Sequence, residues 1–222
     1  MQGQKPKVLN TILNSIHLNT KRYNTMLTKT QAKIMQLFVS QITRRFTLRS
    51  VGKELRMHQA LVYRACQQLI KDKLIIPCDE RYILNYRQNH QDLAYLESLR
   101  SKEFLDKNKT LSLLSEDIID KYPYGYFVLL LFGSAVVSQK PRDIDMLVII
   151  EKTEDIEFAE KALHNIARNY TLNLHTIVLS FESVFEMLGS RDEKNVINEI
   201  LNKHLILYGS ELFYKLLKIG RK

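Results

Sequence analysis

Residues 129 to 150 read LLLFGSAVVSQKPRDIDMLVII, and the rest of the second half of the chain is arranged around them. Two apolar runs, one ending at Phe132 and one covering residues 146 to 150, have the length and β-branched content of buried strands. Between the runs lie Gly133-Ser134, a short polar loop and Asp143-Ile144-Asp145. The stretch therefore predicts two neighbouring strands with polar groups clustered where they are connected.

These polar residues are of the types that bind phosphate and metal. A Gly-Ser pair directly after a strand lets the backbone approach an anion closely. Asp143 and Asp145 are two positions apart on the second strand, so we expect both side chains on one face. Two adjacent carboxylates repel each other, and a hard divalent cation relieves that repulsion. This equipment is typical of phosphoryl or nucleotidyl transfer. The alternative is a simple turn and a strand whose aspartates face solvent.

The order of strand, Gly-Ser, loop and Asp-x-Asp strand resembles the signature of the minimal nucleotidyltransferases (MNT-like proteins of archaeal and bacterial type) of the DNA polymerase β superfamily. The resemblance covers roughly the second half of the chain, residues 111–222. It implies an α/β domain with a mixed sheet. It also implies that Gly133 and Ser134 bind a nucleoside triphosphate, expected to be ATP, and that Asp143 and Asp145 are catalytic and hold Mg²⁺.

The loop between the Gly-Ser pair and the aspartates carries two cations, Lys140 and Arg142. Their charge is suited to neutralising a bound triphosphate, so we include both among the expected nucleotide-binding residues. The alternative is that they are ordinary solvated loop charges. The loop is short for the family.

A third carboxylate, which active members of that superfamily usually supply from a later strand, is not evident here. The strand predicted over residues 171–179 carries Asn173 and His175 on one face and no acid. We therefore consider His175 as a catalytic general base or metal ligand, although Mg²⁺ prefers oxygen ligands. The alternative is a histidine that is hydrogen-bonded in the core. Two functions stay open: transfer of a nucleoside monophosphate to a protein or nucleic-acid hydroxyl, or a catalytically weak nucleotide sensor or interaction module.

Charge is distributed unevenly along the chain. Residues 1 to 110 hold 20 Lys+Arg and 8 Asp+Glu, a balance of +12. The remaining residues hold 33 − 20 = 13 Lys+Arg and 24 − 8 = 16 Asp+Glu, a balance of −3, and the two balances sum to the net +9. A basic half joined to a mildly acidic half indicates two domains with different partners. The basic half is the candidate for binding nucleic acid.

Three predicted helices occupy most of the basic half. They cover residues 28–41, 47–55 and 58–72, and the tight turn between the second and third contains Arg56-Met57. Two short strands around the sequence Pro-Cys-Asp-Glu-Arg then predict a hairpin. On the third helix we expect three residues to form the inner face: Leu61, Ala65 and Leu69.

The helices, the hairpin and the phrase HQALVYRACQQLIKDKLI resemble the winged helix-turn-helix, here residues 28–88. The resemblance implies that the third helix enters the major groove of double-stranded DNA. It assigns base or backbone contacts to Gln59, Tyr63, Arg64 and Gln67 on the outward face, and a phosphate or minor-groove contact to Arg81 at the hairpin tip. The family often has Gly in the turn where this chain has Arg56. The alternative is a protein-interaction module without DNA.

Fold class and setting complete the expectations. We predict an α+β protein with an N-terminal winged helix-turn-helix and a C-terminal nucleotidyltransferase-like domain, preceded by an arm or helix over residues 1–27 and joined by a linking helix over residues 89–110. Cys66 and Cys78 are not in a CxxC spacing, which favours a reducing cytosol. No membrane span is predicted. Two further partners stay open. One is a second copy of the chain in a homodimer, and the other is a helical toxin-like protein, if the chain is the antitoxin-like half of a pair.

Overall fold

The computed structural model describes residues 27–138, 141–190 and 194–221. It is an α+β structure, as the sequence predicts. Within those ranges the helices are α1 (Lys29–Ser40), α2 (Leu48–Leu55), α3 (Gln59–Lys71), α4 (His90–Lys107), α5 (Lys109–Lys121), α6 (Ile156–Ala167), α7 (Phe181–Gly189), α8 (Val196–Ile200) and α9 (Ser210–Gly220). The strands are β1 (Ile75–Cys78), β2 (Arg81–Leu84), β3 (Val128–Phe132), β4 (Ile144–Ile150), β5 (Leu174–Ser180) and β6 (His204–Tyr208).

Side-chain caps fix where the first two helices begin. The Thr28 hydroxyl accepts from the backbone N–H of Gln31, whose side chain accepts from the Thr28 N–H in return. Thr47 and Ser50 make the same reciprocal pair before α2. Each pair satisfies N–H groups that a helix start otherwise leaves unbonded. Both helix starts therefore share a local sequence pattern, a Thr followed three residues later by a polar side chain.

The turn between α2 and α3 depends on a left-handed residue. Arg56 has φ +52°, a conformation usually given to Gly or Asn. The inner face of α3 differs from the expectation: Leu61 is 51% exposed, and the buried residues are Val62, Ala65, Cys66 and Leu69. The prediction of Leu61 as an inner residue is wrong because the buried stripe is centred one position later along the helix.

The second half is built on a mixed four-stranded sheet in the order β5-β4-β3-β6. Strand β3 runs antiparallel to both β4 and β6, whereas β4 and β5 are parallel. The carboxyl end of β3 consequently lies beside the amino ends of β4 and β5. Register places Phe132 opposite Asp145, and Asp145 opposite His175. Residues from three separate segments therefore meet at one edge of the sheet.

The two faces of the sheet belong to two different hydrophobic clusters. One face, including Leu129, Leu131 and Val148, packs with residues of α5 and α6. The other face, including Leu130 and Leu147, packs with residues of α7, α8 and α9, and the same cluster continues into α1, α3 and α4. The basic half and the sheet therefore share one continuous core.

Polar contacts also join the two halves. The Ile42 N–H donates to the Leu201 carbonyl at 2.8 Å, and Thr43 exchanges hydrogen bonds with the Asn202 side chain. Helix α4 packs against α1, α9 and β6. It contributes Glu97, which is fully buried at this junction.

Glu97 is the centre of a buried polar network. Its Oε1 accepts from the Tyr214 hydroxyl at 2.8 Å and lies 3.3 Å from His204 Nε2, and its Oε2 lies 2.5 Å from Arg100. Burial alone would raise the pKa of Glu97, but the Arg100 charge, followed by His204 and Tyr214, outweighs burial and holds that pKa below its usual range. Burial and the Glu97 charge raise the pKa of Tyr214.

None of the helices that the structure describes combines the length and the apolar character that a bilayer span requires.

Candidate functional site

The first component of the candidate site is the turn after β3. A short 3₁₀ helix covers Gly133–Val136, and Gly133 has φ +68°. A Cβ atom built on Gly133 would overlap Oδ2 of Asp145 and lie 3.3 Å from its Cγ. Glycine is therefore required here for two reasons, the left-handed backbone and the carboxylate that occupies the position of a β carbon. The exposed Ser134 follows directly.

The two aspartates are contacted by two residues near the start of β5, Asn173 directly before the strand and His175 within it. Asn173 Nδ2 donates to Asp143 Oδ1 at 2.6 Å, and the Ile144 N–H donates to the Asn173 carbonyl at 2.9 Å. His175 Nδ1 lies 3.6 Å from Asp145 Oδ1. The Ser134 hydroxyl also approaches the Asp143 carbonyl, at 3.5 Å. The structure thus brings Gly133, Ser134, both aspartates and His175 together, as the sequence reasoning expects of a single site.

The site is open to solvent and rich in negative charge. The Asp145 side chain is 28% exposed and that of His175 is 62% exposed. Within residues 27–138, 141–190 and 194–221, neither Asp143 nor Asp145 makes a salt bridge to lysine or arginine. Their neighbours in this part of the chain are the His175 imidazole and the Asn173 amide.

A magnesium ion fits this donor set. Two carboxylates supply the oxygen atoms that Mg²⁺ prefers, and a divalent charge relieves the repulsion between them. The set is small: in the part of the chain that the structure describes, no cluster of three or more His, Cys, Asp or Glu residues is arranged to hold a metal. His175 contributes a nitrogen, which is a poor magnesium ligand. The donors accordingly suit one ion rather than a fully protein-held pair.

Of the two loop cations, Arg142 lies in the described part of the chain. Arg142 is exposed and directly precedes Asp143, so its side chain is free to meet an anion at the site. Lys140 lies outside the described residues, and its predicted role stays a prediction.

A groove of about 390 Å³, which sequence reasoning missed, lies beside the turn. Its walls are residues of α1 and α4, including Leu37 and Phe104, and Leu55, Val136 and Leu205 complete the lining. Pockets for small molecules are of this size. No local sequence signal could have revealed it, because its walls come from five separate segments of the chain.

The second candidate surface is the outward face of α3. Gln59, Tyr63, Arg64 and Gln67 are all exposed, with Tyr63 at 56%. Gln59 is partly engaged, because its side-chain amide packs against Gly52 in the preceding helix. The other three side chains leave the helix with no such neighbour described, so α3 presents an aromatic ring, a guanidinium and an amide on one face.

The hairpin that follows α3 has an acidic tip. Its turn is Asp79 and Glu80, and Arg81 is the first residue of β2, exposed and opposite Cys78. Arg45 lies 2.9 Å from Asp79 and offsets part of the acidic charge. Arg81 is therefore beside the tip rather than at its end.

Known proteins were compared with the chain in three ways. Neither the protein-family models, nor the curated proteins, nor the solved structures give a match. The functional conclusions below therefore rest on the residues and the geometry of this chain.

Proposed function

We propose that this protein binds double-stranded DNA through its basic half and binds a magnesium–nucleoside triphosphate, with ATP expected, at the edge of its sheet, where it transfers a nucleoside monophosphate slowly to a protein or nucleic-acid hydroxyl. The observation that carries the proposal is the convergence of the Gly133 turn with Asp143 and Asp145. Glycine at this turn leaves room for the Asp145 carboxylate directly beside the backbone. A backbone without a side chain can also approach a phosphate closely.

Each residue of the site has a separate task in this proposal. Ser134 and the backbone at Gly133 donate hydrogen bonds to the triphosphate, and the exposed Arg142 neutralises part of its charge. Asp143 and Asp145 hold Mg²⁺, which when bound offsets the phosphate charge. Asn173 orients Asp143 through the 2.6 Å hydrogen bond and so keeps the two carboxylates on one side.

The transfer itself forms a bond between the acceptor oxygen and the α-phosphorus and breaks the bond to the β-phosphate oxygen, so pyrophosphate leaves. The acceptor proton needs a base, and His175 is the nearest candidate beside Asp145. A third carboxylate would serve this position better, because it would also hold an ion against the attacking oxygen. Because β5 carries no such carboxylate, we expect slow transfer with nucleotide binding retained.

Substitutions at Asn173 and His175 test whether the site transfers a nucleoside monophosphate. Wild-type protein, Asn173→Asp and His175→Asp are incubated with Mg²⁺ and α-labelled ATP, and label is sought on protein and on RNA. We expect weak transfer in the wild type and at least a tenfold gain in one of the two variants, since each adds a carboxylate next to the pair. Calorimetry with a non-hydrolysable triphosphate should show binding in all three proteins. Ordinary enzymatic turnover in the wild type with no gain in either variant would overturn the view of an incomplete site.

DNA binding rests on the exposed face of α3. Arg64 has the guanidinium that reads guanine in a major groove, and a good bidentate contact supplies roughly 1–3 kcal/mol of discrimination. In gel-shift titrations of the full chain against a selected duplex and a scrambled one, Arg64→Ala should reduce discrimination, whereas Lys102→Ala, an exposed cation on α4, should not. Affinity should also fall steeply with salt as counterions are released. Absence of binding to any duplex at low salt would contradict this part.

A second function is favoured by one observation, the missing third carboxylate. In that case the protein is a transcriptional regulator or an antitoxin-like protein whose sheet domain senses a nucleotide without transferring it. Nucleotide binding that changes DNA affinity, with no labelled product in any of the three proteins, would favour this function over the enzyme.

A further inference from the structure

Five aromatic rings form a chain of contacts at the end of the sheet opposite the candidate site. Successive ring centroids are 4.7 Å apart for Tyr208–Phe127, 5.0 Å for Phe127–Tyr122, 5.3 Å for Tyr122–Tyr124 and 6.4 Å for Tyr124–Phe158. Phe127 precedes β3 and Tyr208 ends β6. We call these five residues the aromatic ladder.

The outer rings of the aromatic ladder are exposed. Phe158 is 60% exposed and Tyr208 is 36% exposed, while Tyr122 and Phe127 are buried beneath them. Tyr126, next to the ladder in the chain, is 65% exposed. The buried rings hold the exposed ones in place, and Tyr124 is further fixed by its hydroxyl, which donates to the Asp155 carbonyl at 3.2 Å. Exposed aromatic rings on a rigid base are typical of binding surfaces.

Carboxylates surround the ladder. Residues 151 to 161 read EKTEDIEFAEK, which places five acids and two lysines around Phe158 in the sequence. Glu154, Glu157 and Glu160 are exposed, and Glu157 forms an exposed ion pair with Lys161 at 2.6 Å. Glu160 is close enough to contribute, after burial and Tyr124, to the raised pKa of Tyr122, and Asp155 contributes in the same way, after burial, to that of Tyr124. This end of the molecule is therefore acidic in a chain whose net charge is +9.

We propose that the aromatic ladder and its carboxylates form a docking surface for a lysine- or arginine-rich polypeptide segment. Ammonium and guanidinium groups are attracted to the faces of Phe and Tyr rings, and the surrounding carboxylates add direct charge pairing. A nucleic acid would stack its bases on the same rings, but its phosphates would meet the carboxylates of residues 154 to 160. The charge thus selects a basic protein segment over a polynucleotide. This surface is independent of the proposed nucleotide site.

The test uses the full chain and two labelled twelve-residue peptides, one of Lys and Arg spaced by Gly and one with Glu in place of every cation. Binding is measured by fluorescence anisotropy for the wild type, for Phe158→Ala and for Glu154→Gln combined with Glu157→Gln and Glu160→Gln. The matched control is Tyr95→Ala, because Tyr95 is 58% exposed on α4, outside the aromatic ladder. Circular dichroism confirms that each variant is folded.

The proposal expects the basic peptide to bind the wild type at least tenfold more tightly than the acidic peptide. Phe158→Ala should weaken the basic peptide at least fivefold and the triple variant at least tenfold, with Tyr95→Ala within twofold of the wild type. Equal binding of the two peptides would overturn the proposal, as would a triple variant that binds weakly while Phe158→Ala does not. Loss of single-stranded oligonucleotide binding in Phe158→Ala would also overturn it, by assigning the ladder to nucleic acid.

Discussion

The molecule contains two acid–histidine pairs whose surroundings differ greatly. Asp145 and His175 lie 3.6 Å apart on neighbouring strands and are both at least partly exposed, and among the described residues Asp145 has no lysine or arginine partner. Glu97 and His204 lie 3.3 Å apart and are both fully buried, with Arg100 and Tyr214 completing the set. The buried pair has partners on every side, whereas the exposed pair has room for a ligand.

This difference separates a structural role from a functional one. A buried charge is tolerated only when it is paired and hydrogen-bonded, so the Glu97 network is complete without any ligand. An exposed carboxylate pair keeps unused acceptor positions at little cost, because water solvates them until a cation displaces it. Saturation of hydrogen bonds, rather than residue type, therefore distinguishes the two pairs.

Removal of the buried carboxylate should give the largest effect. In Glu97→Ala, the largely buried Arg100 loses its counter-charge, and His204 and Tyr214 lose a hydrogen-bond partner. Breaking a buried ion pair in this way typically costs about 3–5 kcal/mol of stability. Chemical denaturation measures the loss. The control is Glu103→Ala on the same helix, where the ion pair with Lys107 is exposed and contributes about 0–1 kcal/mol. Equal losses in the two variants would remove the distinction between the pairs.

The two histidines provide a matched comparison of intermediate size. His204→Gln breaks a 2.7 Å contact with the Ile200 carbonyl and the contact with Glu97, so we expect a loss of about 1–3 kcal/mol from buried polar groups left unpaired. His175→Gln changes an exposed side chain and should stay within about 0.5 kcal/mol of the wild type. Thermal and urea unfolding of both variants checks this. A larger loss at His175 would show that the exposed pair also supports the fold.

Gly133→Ala should damage the exposed site with a smaller effect on the fold. The left-handed φ costs an L residue about 1–2 kcal/mol, and the new methyl group displaces the Asp145 carboxylate. Magnesium-dependent triphosphate binding should therefore fall at least tenfold in calorimetry. Gly125→Ala is the control, because a Cβ at Gly125 meets nothing within 4 Å. Unchanged binding in Gly133→Ala would exclude the turn from the site.

Acidification should give the smallest effect on stability, through protonation of the buried Glu97. The pKa of Glu97 is lowered in the folded state, because Arg100, His204 and Tyr214 outweigh the opposing effect of burial. Its contribution to stability is therefore present above the unfolded value of about 4.3 and is lost as pH falls through the folded pKa. The stability difference between wild type and Glu97→Gln should narrow from pH 5 to pH 3. A difference that stays constant over this range would contradict the lowered pKa.

Local patterns predicted much of this architecture. The three helices of the basic half and the two short strands of the hairpin follow from local patterns and agree with the structure. The two aspartates were expected on one face next to Asn173 and His175, and the register of β4 and β5 brings these four together. Period and spacing were sufficient there because Asp145 and His175 lie on paired strands, and Asp143 and Asn173 directly precede those strands.

Other features could not be predicted because they depend on distant parts of the chain. Glu97 was one charge in a linking helix, and nothing near it in the sequence indicates a partner 107 positions later. Leu61 was misplaced since two helical stripes one residue apart fit the same apolar pattern, and tertiary packing selects between them.

The partners of Glu97 also determine when this protein can finish folding during synthesis. Tyr214 is 117 positions further along the chain, so α4 stays without its buried counterparts while the ribosome makes the whole sheet. Until then an acid and an arginine that belong in the interior remain in water, and the apolar residues around them remain exposed to chaperones. Contacts of such separation slow folding. We infer that the basic half matures late, only after the segment that contains α9 has left the ribosome.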